Sequence, residues 1–184
     1  MDKLYIAALA GFVGAATSAL SLYAWQMQID ATQKFYLLNV VVITLGALAN
    51  VAYWYGLSVI GTRFHSSTLH YMALLALILS IFTDASNAVF TLFPQYAASS
   101  GWDAFGLFMS TLFAIAYILT GLAVQKLRSM FGDVALWYGI FAMVSGVIVL
   151  AGDFGIPAIS ALGMALNVVL YVLGGMILLQ AAKR

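Results

Sequence analysis

Six apolar runs, each near the length that crosses a bilayer, constrain this 184-residue chain more than any other feature. They cover roughly residues 4–25, 35–57, 68–93, 104–124, 134–154 and 157–181. A helix of about 20 apolar residues matches the hydrocarbon thickness. The breaks between runs are short: QMQIDATQK, SVIGTRFHSS, PQYAASSGWD, KLRSMFGD and DFGIP. Such connections force successive helices to run antiparallel and to pack on one another. Pro94 ends the third run, and Pro157 opens the sixth, where a missing N–H costs nothing. Closed barrels are the other spanning solution, but they need alternating segments of about ten residues. These runs are longer and do not alternate. The expected fold is therefore all-α: a six-transmembrane-helix bundle forming a single domain over residues 1–184, with short loops. The N-terminal MDKLYIAALAG leads directly into the first run and is read as a retained span.

Composition agrees. The chain is 65% hydrophobic and 7% charged, far below the quarter or so that is charged in a soluble domain. Glutamate is absent, and all six acidic residues are Asp. A net charge of +1 gives no footprint for nucleic acid. Without cysteine there is no disulfide, thiolate metal site, iron–sulfur cluster or Cys nucleophile. Six basic residues (Lys3, Arg63, Lys126, Arg128, Lys183 and Arg184) fall on one side of a six-span chain, and Lys34 alone falls on the other. By the positive-inside rule both termini face the cytoplasm. The expected location is a prokaryotic cell membrane.

Residues i, i+3, i+4 and i+7 share a helix face. On the third run that spacing aligns Ser80, Asp84, Asn87 and Thr91. The second run aligns Asn39, Gly46, Asn50 and Tyr53. The fourth aligns Ser110, Ala114, Tyr117, Gly121 and Gln125, and the fifth aligns Tyr138, Ser145 and Gly152. The sixth aligns Ser160, Gly163, Asn167, Tyr171 and Gly174. Polar groups facing lipid would go unsatisfied, so each stripe is expected to face the interior, and all five to converge on one polar core. The first run differs. Its face is small, with Ala7, Gly11, Ala15 and Ala19 at spacing four and Gly14, Ser18 and Ser21 alongside. Such a face lets backbones approach closely, either within the monomer or against another subunit.

Asp84 carries the most chemistry. It lies roughly 13–15 Å from the outer end of its helix, near the midplane. An ionised carboxylate there costs on the order of 2.5–3.5 kcal/mol. It is affordable when protonated, or when ionised against a cation or several donors. No Lys or Arg shares its depth. Asp153 sits at the outer mouth in AGDFGIP, either as an ordinary turn carboxylate at the start of the sixth helix or as a second acid in one vestibule.

The two histidines, His65 and His70, lie near one end and suit neither a haem nor a metal site. No phosphate loop, no mid-span lysine and no complete nucleophile–base set occurs. Neither a catalytic role nor a cofactor is expected. The reading is a small transporter or channel, proton- or cation-coupled, for a small polar solute. Asp84, Asn87, Ser80, Asn50, Asn167, Tyr171 and Asp153 would line its site. The alternative is a non-catalytic subunit of a respiratory, energy-coupling or importer assembly, packing through its small-residue first helix. Expected partners are the bilayer, a proton or small cation with a small solute, and a second copy or other membrane subunits.

Overall fold

The computed structural model describes residues 2–26, 36–92, 100–152 and 157–184, without the side chains of 25–26, 36–39, 87–92, 100–104 and 157. The chain forms α1 (Lys3–Gln26), α2 (Tyr36–Arg63), α3 (Ser67–Leu92), α4 (Ser100–Gln125), the short α5 (Arg128–Phe131), α6 (Asp133–Gly152) and α7 (Pro157–Ala182). Six of these, all but α5, are long and apolar enough to cross a membrane. The protein is an all-α, multi-pass membrane bundle.

Chain order sets the packing. Each long helix packs on the next, α4 packs on α6, and α1 packs on α7 to close a ring. α2 and α7 also touch directly. Large apolar side chains such as Leu9, Leu48 and Val147 project outward and are mostly exposed. Lipid is as apolar as the interior, so both faces of each helix carry the same residue types. What separates inside from outside is size and polarity: Tyr53, Trp54 and Tyr138 are buried with many alanines.

Two differences from the sequence reading bear on packing, besides a fourth helix that begins at Ser100 instead of residue 104. The second helix does not stop at residue 57 but runs on to Arg63. The stretch SVIGTR contains no helix breaker, and Ser58 and Ile60 are buried. Arg63 Nη1 donates to the carbonyl of Ala181 at 3.2 Å, satisfying a terminal carbonyl of α7. α2 then ends in a tight two-bond cap. The Ser66 N–H reaches the Gly61 carbonyl at 2.8 Å, and the His65 N–H reaches Thr62 at 3.3 Å. His65 takes the left-handed conformation that this cap requires, with φ of 54°. The second difference is α5, inside the expected loop KLRSMFGD. It buries Phe131, edge-on to Phe64 at 5.2 Å between ring centroids.

The small-residue face of α1 is used within the bundle. Ala7, Gly11 and Ala15 are buried, and Ala19 is exposed. A Cβ on Gly11 would lie 3.0 Å from the Tyr171 carbonyl and 3.1 Å from Gly175 Cα, so α1 and α7 touch backbone to backbone. Of this face, Ala19 and Ser21 are open to an outside partner.

Candidate functional site

The stripes divide between two layers instead of meeting in one core. The first layer is a cavity of about 460 Å³ among α1, α2, α3 and α7, in the half of the bundle nearer the α1–α2 connection. α1 contributes Thr17, Ser18 and Ser21. α2 contributes Val42, Ile43, Gly46, Ala47 and Asn50. α3 contributes Asp84, and α7 contributes Met164, Asn167 and Tyr171. Four residues singled out in the sequence, Asp84, Asn50, Asn167 and Tyr171, thus share one space.

Their hydrogen bonds fix orientations. The Tyr171 hydroxyl donates to Asn50 Oδ1 at 2.7 Å. Asn50 therefore keeps its amide N–H groups as donors, in the same cavity as Asp84. The Asp84 carboxyl oxygen Oδ2 is buried and meets no donor among the described residues. A buried acceptor left unmatched costs about 1–3 kcal/mol, so its persistence calls for an explanation. Asn167 Oδ1 accepts from the Tyr117 hydroxyl at 3.5 Å, the outer limit of such a contact, and this leaves its amide nitrogen as a donor.

The second layer lies one turn deeper and is aromatic. Tyr53 stands edge-on to Trp54 (5.4 Å between centroids) and to Tyr171 (4.8 Å), and Trp54 is edge-on to Tyr117 (5.4 Å). Tyr53 Oη lies 3.1 Å from the Leu170 carbonyl and 3.2 Å from Tyr138 Oη. A phenol has one proton and a carbonyl only accepts, so Tyr53 donates to Leu170 and Tyr138 donates to Tyr53. Gly174 makes this possible, because a Cβ there would collide with the Tyr53 hydroxyl. Gly174 and the stripe residues Tyr117 and Tyr138 therefore serve the floor of the cavity, not its walls.

Ser80 does not line the cavity. It is one turn deeper on α3, buried, and its hydroxyl donates to the Ala76 carbonyl at 2.7 Å. Packing closes at that level, and the helix's own backbone satisfies the hydroxyl. Asp153 and the side chain of Asn87 lie outside the described residues. The sequence reading did not assign Thr17, Ser18 and Ser21 to the site. Their signal is a hydroxyl pair at spacing four, Thr17 and Ser21, with Ser18 beside it, on a helix otherwise lined with alanine and glycine.

His70 finds a structural role. Its Nδ1 lies 2.8 Å from Ser58 Oγ and ties α3 to α2 near the basic end. Comparison with protein-family models, curated proteins and solved structures finds no significant match.

Proposed function

We propose that the chain is a small carrier for a small polar solute, coupled to a proton or small cation that Asp84 takes up and releases. One observation carries this reading: Asp84, Asn50, Asn167 and Tyr171, from three helices, line a single cavity above a closed aromatic layer. A channel needs a continuous path, whereas a carrier needs a site closed on at least one side. The aromatic floor favours the carrier. Asp84 suits the coupling role because an ionised carboxylate at this depth is costly until a proton or cation neutralises it. Loading and unloading that charge then changes the free energy of the whole bundle, as coupling requires.

The same reading places both termini in the cytoplasm of a prokaryotic cell and opens the cavity toward the outside. The subunit alternative relied on the face of α1, and most of that face is occupied by α2 and α7.

Reconstitution tests the proposal. Liposomes with a trapped pH indicator, an inside-negative potassium diffusion potential and a mixture of small polar solutes outside are expected to acidify faster with the protein than without it. Radiolabelled sodium entry reports the cation alternative. If neither ion enters faster than in protein-free vesicles, the coupled-carrier reading fails.

A further inference from the structure

The cavity's lining specifies more than a polar solute. We propose that it binds a small organic monocation, a protonated amine on an apolar body, with the ammonium group against Asp84 Oδ2. This rests on reading the cavity as a substrate site.

Three observations converge. The first is charge. Asp84 is the ionisable acid of the lining, and among the described residues no Lys, Arg or His lines the cavity. A neutral solute can donate a hydrogen bond to Oδ2, which meets no donor among the described residues, but only a cation also neutralises an ionised carboxylate at this depth.

The second is the direction of the hydrogen bonds. Thr17 donates to the Gly14 carbonyl and Ser21 to the Thr17 carbonyl, each at 3.0 Å. Tyr171 donates to Asn50 Oδ1 at 2.7 Å. The hydroxyl protons of Thr17, Ser21 and Tyr171 are committed, and what these hydroxyls offer a ligand is lone pairs. Asn167 and Ser18 are the exceptions, since neither the Asn167 amide nitrogen nor the Ser18 hydroxyl has an acceptor among the described residues. Such a lining is matched by a ligand that brings donors, and an ammonium brings up to three.

The third is the apolar wall. Val42, Ile43, Ala47 and Met164 share the cavity with the polar groups. Its volume, about 460 Å³, is many times the roughly 30 Å³ that one water occupies, and it falls in the range of small-molecule pockets. A bare metal cation would use the oxygens and leave the apolar wall facing water. An alkylammonium uses both.

The test is equilibrium binding to the purified full-length chain in mild detergent. The probes are pentylammonium, the neutral isostere 1-pentanol, and sodium. Pentylammonium is expected to bind saturably, one per chain, at least about tenfold more tightly than pentanol. Asp84→Asn should erase that preference, and Asp84→Glu, which keeps the carboxylate, should retain it. Equal affinity for amine and alcohol, or an amine affinity indifferent to Asp84→Asn, overturns the proposal. So does displacement of the amine by sodium at equal concentration, which would make the site one for metal cations. Amine binding without ion flux sinks the carrier and keeps the ligand class. Proton or sodium flux without amine binding does the reverse.

Discussion

Replacing Asp84 with asparagine is expected to cut coupled flux by about a hundredfold or more, while the melting temperature holds or rises. The two side chains are nearly isosteric, so the packing around α2 and α7 is kept. What is lost is the group that can be charged. About 2.5–3.5 kcal/mol separates an ionised from a neutral side chain at this depth, which corresponds to roughly a hundredfold in an equilibrium or a rate. Stability should move the other way, because Asp84 Oδ2 is a buried acceptor that meets no donor among the described residues, and asparagine removes the option of a buried charge. Flux in proteoliposomes and thermal melts in detergent read the two effects separately. Loss of flux together with loss of folding would make Asp84 structural glue. Unchanged flux would remove it as the coupling residue.

Gly121→Val is expected to be strongly damaging although it is far from the cavity, with a loss of about 3 kcal/mol or more. A Cβ at Gly121 would lie 2.6 Å from the Gly139 carbonyl oxygen, 3.1 Å from Ala142 Cβ and 3.2 Å from Met143 Cγ. The closest of these is backbone and cannot rotate away. The α4–α6 crossing would have to open, and overpacking of this kind costs typically 1–3 kcal/mol, more when the backbone must move. Gly106, on the same helix, is the control, because a Cβ there would meet no atom within 4 Å. Gly106→Ala should be neutral, or stabilising by up to about 1 kcal/mol through helix propensity. Denaturant unfolding of the purified chain measures both. Similar effects at the two sites would mean that the crossing is looser than described.

The bundle was legible because bilayer length and short connections leave few alternatives. Helix ends were less so. Apolarity does not mark where α2 stops, since Arg63 continues the helix by reaching the end of α7. α5 is four residues among charges and has no periodicity to read. Helical spacing found the polar faces, and Asp84, Asn50, Asn167 and Tyr171 meet as spacing alone suggests. Spacing gives direction but not depth. Ser80 and Asp84 share a face, yet one turn separates a closed level from an open one. Tyr138 and Tyr117 point inward as expected, and tertiary contacts commit them to the aromatic floor. The hydroxyls of α1 were obscured by its small residues, whose packing on α7 through Gly11 accounts for part of the helix and says nothing of the cavity that Thr17, Ser18 and Ser21 line higher up.

The central claim is a water-accessible polar cavity above a closed aromatic floor. The chain has no cysteine, so a single introduced thiol reports on one position. Ser18→Cys places it on the cavity wall, and Ser145→Cys places it in the buried α6 face. A membrane-impermeant thiol reagent added outside intact cells should label Ser18→Cys and spare Ser145→Cys. Failure to label Ser18→Cys from outside, or equal labelling of both, would contradict the account.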